Sequence, residues 1–192
     1  MRSLIGVTGP PGAGKSTYAD ALVAAADEPA VVVPMDGFHL ADRVLRSLGL
    51  RDRKGAPETF DAWGYAALLR RLRPSPDSPG APGTVYAPAF ERELEQPLAG
   101  AIAVPPSVTL VVAEGNYLLL DRPEWRAVAA ELDEVRYLDL DDDVRRSRLV
   151  ARHVEFGKSP SDAAAWVERV DEPNARLVAA SRGRADLVVP SS

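Results

Sequence analysis

Gly9-Pro10-Pro11-Gly12-Ala13-Gly14-Lys15-Ser16, followed by Thr17, fits the pattern G-x-x-x-x-G-K-[ST] at every fixed position. The five residues before it, Leu4-Ile5-Gly6-Val7-Thr8, form a short apolar run of strand type, and residues 16–26 form an alanine-rich run of helix type. A loop between a strand and a helix is the setting a phosphate cradle needs. Backbone N–H groups must converge on phosphate oxygens, which requires residues without a Cβ, and the helix N-terminus adds partial positive charge. In that setting Lys15 reaches the terminal phosphates and Ser16 is a ligand for Mg²⁺. Gly9, Pro10, Pro11, Gly12, Ala13, Gly14, Lys15, Ser16 and Thr17 are therefore the expected nucleotide-binding residues.

Working outward, residues 30–35 (AVVVPM) are a second apolar run, closed by Asp36-Gly37, and together with the intervening helix they predict a βαβ unit with parallel strands. Residues 108–113 (VTLVVA), 135–140 and 185–189 add three more short, continuously apolar runs. Helical spacing is read over residues 39–48, 61–72, 123–132, 141–156 and from Ser159 or Ser161 onward, with Pro173 breaking or kinking the last of these. Five apolar strands alternating with helices predict a three-layer α/β fold, with a five-stranded parallel sheet covered on both faces. Residues 74–88 are dense in proline and glycine and read as a functional excursion or a mobile one, with residues 84–88 as a short edge strand. The 192 residues are expected to form one domain, 1–192, with an acceptor and excursion region at about 50–107.

In an open parallel sheet the ligand lies beyond the carboxyl ends of the strands, so strand-end carboxylates carry the chemistry: Asp36, Glu114, and Asp139 or Asp141. Asp36 is the candidate general base, with Gly37 allowing the chain to turn beneath a ligand. Glu114 is placed to hold Mg²⁺ through water or to bind the acceptor. On the helix from Asp141, the pairs Asp141–Arg145 and Asp142–Arg146 are spaced i,i+4 for salt bridges. Arg148 and Arg152 extend a like-charge row along one helical face, which predicts an arginine-bearing lid over the phosphates. Arg53 and Lys54 either bind an acidic group on the acceptor or form a solvated loop pair. Tyr86, Arg92 and Tyr117 are candidates for lining the acceptor pocket, and His39 and His153 stay unassigned.

Composition sets bounds. There is no cysteine and there are two histidines, which excludes thiolate metal sites and favours a hard, oxygen-bound metal. Lys+Arg of 23 against Asp+Glu of 28 gives a net charge of −5, which argues against nucleic-acid binding. No basic and apolar leader and no membrane-length apolar run is seen, so a cytoplasmic protein without a membrane partner is expected. A homodimer stays open.

GPPGAGKST, MDGFH, RKGAPETFD, VVAEGNYLL, YLDLDDDVRRSRLVARH and the terminal ADLVVP, taken in order, resemble the phosphoribulokinase, uridine kinase and bacterial pantothenate kinase group of P-loop kinases. The resemblance implies ATP and Mg²⁺ as cofactors and transfer of a phosphoryl group to a hydroxyl of a small molecule: a nucleoside such as uridine, a sugar such as fructose, or a pantothenate-like compound. It also implies Asp36 as base, Lys15 and Ser16 on phosphate and metal, and the Arg148 to Arg152 helix as lid. Asp61, at the end of RKGAPETFD, joins the expected acceptor-binding residues. A nucleoside monophosphate kinase and a non-catalytic nucleotide-dependent switch are the alternative readings; for the switch, no guanine-reading N-K-x-D element is found.

Overall fold

Side chains alternate across each strand of the central sheet, and that alternation builds two separate cores. Leu4, Val111 and Tyr137 face one side, whereas Val7, Val112 and Leu138 face the other. The computed structural model describes residues 2–74 and 83–190. Its sheet contains β1 (Ser3–Thr8), β2 (Ala30–Pro34), β5 (Leu110–Glu114), β6 (Glu134–Asp139) and β7 (Leu187–Pro190), all parallel, in the order β2-β5-β1-β6-β7. These are the five strands read from the apolar runs. Helix α1 (Lys15–Ala24) carries the chain from β1 to β2 and packs Ala19 against Val7, Val112 and Leu138. Helices α3 (Ala62–Leu72), α4 (Pro123–Ala129) and α7 (Glu172–Ala179) cover the opposite face with Tyr65, Leu69, Leu72, Trp125, Val128 and Val178.

The order places β1 between β5 and β6: the connection leaving β1 runs to β2 on one side and the one leaving β5 runs to β6 on the other, which opens a crevice at their carboxyl ends. Register brings the ligand-side ends level: Val7 lies opposite Glu114, and Pro34 opposite Glu114 on the other side. The turn carrying Asp36 follows Pro34 directly as a 3₁₀ turn, Met35–Phe38.

Beside this crevice stands an antiparallel pair, β3 (Val85–Glu91) with β4 (Gln96–Val104), which the sequence reading anticipated only in part. The edge strand expected at 84–88 is the start of β3, and the register slips between Ala87 and Ala89, on either side of Pro88. Most of the excursion, residues 75–82, lies outside the described residues. Gly37 is where hairpin and turn meet. A Cβ on Gly37 would stand 2.3 Å from the Pro88 carbonyl oxygen, so this glycine admits the hairpin backbone as well as lying within the turn.

Helix α2 (Asp42–Leu48) starts three residues later than the spacing predicts, because His39 instead bridges to Phe60. Helix α5 (Asp142–Glu155) follows β6, and α6 (Pro160–Trp166) begins at a Ser159 cap. The break expected from Pro173 takes the form of a wide π turn, Val167–Asp171, ahead of α7.

Candidate active site

The nine residues from Gly9 to Thr17 form one continuous cradle. Gly12 and Gly14 both have φ of +85°, and Gly14 is the left-handed residue that launches α1. Helix α5 lies directly across the loop: a Cβ on Gly12 would come within 2.9 Å of Leu149 Cγ and 3.0 Å of the Arg145 carbonyl oxygen. Between loop and helix is a cleft of about 210 Å³ lined by Gly12, Gly14, Lys15, Ser16, Thr17, Arg148, Leu149 and Arg152. The structure thus brings both lid arginines onto the phosphate side of the cradle. Lys15 is buried and its Nζ donates to the Pro10 carbonyl oxygen at 3.1 Å. Burial pushes its pKa down and Arg152 adds to that, while Glu114 and Asp36 act in the opposite direction.

A second cleft, about 290 Å³, adjoins the first and shares Ser16 with it. Its lining includes Ser16, Asp36, Glu114, Phe90 and Arg92. The Ser16 hydroxyl stands close enough to the Glu114 carboxylate to favour its charged form. Glu114 is buried, and burial raises its pKa from 4.5 to about 7; Asp36 adds to the rise, whereas Lys15, Arg92 and Ser16 oppose it. A buried carboxylate beside an exposed hydroxyl at the foot of a phosphate cradle suits a hard divalent cation, which takes oxygen ligands and leaves most of its coordination to phosphates and water. Ser16 and Glu114 are the residues that would hold Mg²⁺. Among the described residues, there is no cluster of three or more His, Asp or Glu ligands.

This burial has a measurable consequence in the ligand-free protein. A carboxyl whose folded pKa exceeds its unfolded value contributes stability below about pH 4.5, and loses it as the pH rises through about 7. Glu114→Gln is therefore expected to match the wild type in denaturant stability at acid pH and to become the more stable of the two across that window. Parallel curves at all pH values would show that Glu114 ionises normally.

The third cleft, of about 460 Å³, shares Phe90 and Arg92 with the second and Arg152 with the first. It holds His39 and Lys54, and the Lys54 ammonium is bonded to Asp42 Oδ1 at 2.8 Å and lies 5.2 Å from the Phe90 ring centre. His39 packs against Phe60 and Phe90 with ring centres 4.0 and 4.8 Å away, and burial holds its pKa below the ordinary value.

Four expected acceptor residues stand elsewhere. Tyr86 points away, because its β3 neighbours Val85 and Ala87 take the buried face and the pleat turns Tyr86 outward, 59% exposed. Asp61 caps α3, its Oδ1 accepting from the Gly64 N–H at 2.8 Å. Arg53 is paired with Glu58 and lines a separate cavity with Arg169 and Asn174. Tyr117 lies in the core against Phe60 and Trp125, and its hydroxyl donates to the Gly55 carbonyl oxygen at 2.6 Å. It acts as a tether for the loop that presents Lys54. Tyr117→Phe is expected to cost about 1 kcal/mol in unfolding free energy, and to raise the acceptor KM with kcat nearly unchanged.

The lid's salt bridges also differ from the i,i+4 expectation. Asp141 is spent as the N-cap of α5, accepting from Asp143 N–H and Val144 N–H, so the pairs form at i,i+3: Asp142 with Arg145 at 2.9 Å and Asp143 with Arg146 at 3.2 Å. Both arginines also reach Glu172. Arg145 is fully buried, which the spacing alone did not reveal.

Residues 4–192 match the model of the phosphoribulokinase / uridine kinase family. The chain belongs to that family. A fission yeast (Schizosaccharomyces pombe) protein provisionally named a uridine kinase is 35% identical over 180 residues, covering 89% of this chain and 74% of its own. The uncharacterised YggC of Escherichia coli is 34% identical over 193 residues, covering 98% of this chain and 77% of its own. Among solved structures, a protein from Silicibacter sp. TM1040, provisionally described as a fructose transport system kinase, superposes with a TM-score of 0.89 at 41% identity, covering 98% of this chain and 90% of that one. The protein is thus a P-loop kinase, and family membership implies ATP with a divalent metal. Among the described residues, no helix is long and apolar enough to cross a membrane.

Proposed function

We propose that the chain, acting over 1–192 as one kinase unit, transfers the γ-phosphoryl group of Mg²⁺-bound ATP to an alcohol of a small metabolite. Nucleic acid and membrane have no place in this reading. The observation that carries it is the shared cleft of Ser16, Asp36 and Glu114, which has a strand-end carboxylate beside the donor cradle. ATP brings the transferable phosphoryl group and the metal screens its charge. Asp36 orients the acceptor hydroxyl and takes its proton as the new oxygen–phosphorus bond forms and the bond to the β-phosphate oxygen breaks. Lys15, Arg148 and Arg152 stabilise charge on the phosphoryl oxygens. The rest is positioning, since this transfer asks for no covalent intermediate on the protein.

A nucleoside monophosphate kinase would transfer to a phosphate and would have no use for a carboxylate at Asp36. The two readings part in an assay of ADP release with Mg²⁺ across uridine, fructose, pantothenate, D-glycerate and UMP. ADP formation that depends on an alcohol acceptor supports the proposal. Turnover with UMP alone, or tight nucleotide binding with no acceptor-dependent turnover, would overturn it.

A further inference from the structure

The third cleft carries charge of one sign. Five of its lining side chains are cationic, Arg51, Lys54, Arg92, Arg152 and Lys158, against the single carboxylate of Glu95. That imbalance sits in a protein whose net charge is −5. Local carboxylates account for part of it: Asp42 accepts from Lys54 Nζ and Arg51 Nε, each at 2.8 Å. Arg92, Arg152 and Lys158 are different. Among the described residues, none of the three is in a salt bridge, and the carboxylate that acts on Arg92 is Glu114, in the adjoining cleft. Lys158 is instead held over an aromatic face, its ammonium 4.7 Å from the centre of the Trp166 ring, which fixes its position without neutralising it. Lys54 is held the same way over Phe90.

Gathering five cations around few carboxylates in a concave site costs mutual repulsion, and an anion seated among them repays it. The cleft's place in the molecule says which anion. It meets the Asp36 cleft at Phe90 and Arg92 and the phosphate cradle at Arg152, so an occupant can extend a hydroxyl toward Asp36 while its far end rests among Arg92, Lys54 and Lys158. At about 460 Å³ the cleft suits a small metabolite. Resting on the kinase reading above, we infer that the acceptor is anionic, a hydroxylated compound carrying a carboxylate or phosphate group away from the reacting hydroxyl. A neutral nucleoside or free sugar does not match this lining.

The test uses the full chain with the nucleotide site filled by Mg²⁺ and AMP-PNP, so that anions cannot enter the phosphate cradle. Trp166 lies in the cleft and reports by fluorescence, in a Trp63→Phe background that removes the exposed tryptophan. Matched probes are D-glycerate with glycerol, gluconate with glucose, and fructose 6-phosphate with fructose; inorganic phosphate serves as a minimal anion. The expected result is saturable binding of inorganic phosphate and of at least one anionic probe, at least about tenfold tighter than its neutral partner. Arg92→Gln combined with Lys158→Gln should abolish that preference with AMP-PNP affinity unchanged. Neutral probes binding as well as anionic ones, no saturable anion binding, or a preference that survives the double variant would each overturn the inference.

Turnover separates the two proposals. Asp36-dependent phosphorylation of a neutral probe, with the anionic ones inert, overturns the anionic class and leaves the kinase standing. Anion-selective binding with no transfer to any acceptor supports the cleft's selectivity and counts against the kinase. The probes also divide the source of the charge: tighter binding of D-glycerate and gluconate marks a hydroxy acid, and tighter binding of fructose 6-phosphate marks a sugar phosphate.

Discussion

Asp36→Asn is expected to lower kcat by about 10²- to 10⁴-fold, the range that removal of a positioned general base produces. The amide fills the same volume at the end of the Pro34–Met35 link, so the 3₁₀ turn and the hairpin contact at Gly37 stay in place. What disappears is the acceptor for the alcohol proton. Because Asp36 lines the Ser16–Glu114 cleft and not the lid-side cradle, the Kd for Mg²⁺–AMP-PNP should be unchanged. Steady-state kinetics with the best acceptor from the panel, together with nucleotide titration, measure both. Undiminished kcat would remove Asp36 from the mechanism, and weakened nucleotide binding would place it on the donor side instead.

Arg145→Met is expected to destabilise the protein by about 1 to 3 kcal/mol, the cost of losing hydrogen bonds between charged groups while Glu172 keeps a second partner. Arg145 is 1% exposed and joins Asp142 on its own helix to Glu172 at the start of α7, so the substitution leaves Glu172 with Arg146 as its remaining partner. Since Leu149 and the Arg145 backbone rest on Gly12, loosening this helix also shifts Arg148 and Arg152 relative to the cradle. Urea denaturation should show the loss of stability, and Mg²⁺–ATP affinity should fall with it. An unchanged midpoint would mean that Glu172 is held well enough by Arg146 alone.

The central sheet was legible from the chain because each of its strands is a short apolar run flanked by helical spacing, and a parallel sheet buried on both faces demands that. Strand β4 was not. Gln96–Val104 reads LAGAIAV after Pro97, small apolar residues interrupted by Gly100 and largely exposed, so it lacks the β-branched, buried character of the central strands, and its pairing with β3 makes it a strand. The donor side of the site was legible for a related reason. Gly12, Gly14, Lys15 and Ser16 are contiguous, and a contiguous motif carries its own geometry.

The third cleft, where we place the acceptor, is assembled from residues 39, 54, 92, 152, 158 and 166, which no spacing connects. Lys54, Arg92 and Arg152 were recognisable as charged residues beside motifs, whereas Lys158 and Trp166 offered no such signal. For Tyr86, Asp61 and Tyr117 the residue type was informative but the direction was not. A tyrosine on a strand faces inward or outward according to register, and an aspartate before a helix caps it whenever its side chain reaches the free N–H groups.

The contact between Gly12 and α5 makes the lid a beam held at both ends. Its root is clamped, with Arg145 riveted to Glu172 and Leu149 bearing on the loop, and its outer turn is tied by His153 Nε2 to Asp171 Oδ2 at 2.9 Å, before the chain leaves through the exposed Phe156 and Gly157, whose φ is +94°. Arg148 and Arg152 lie on the span between these supports and line the phosphate cleft together. Amide hydrogen exchange should register the two supports as slow exchange from Arg145 through His153 and fast exchange only from Phe156 onward, with the nucleotide slowing the span further.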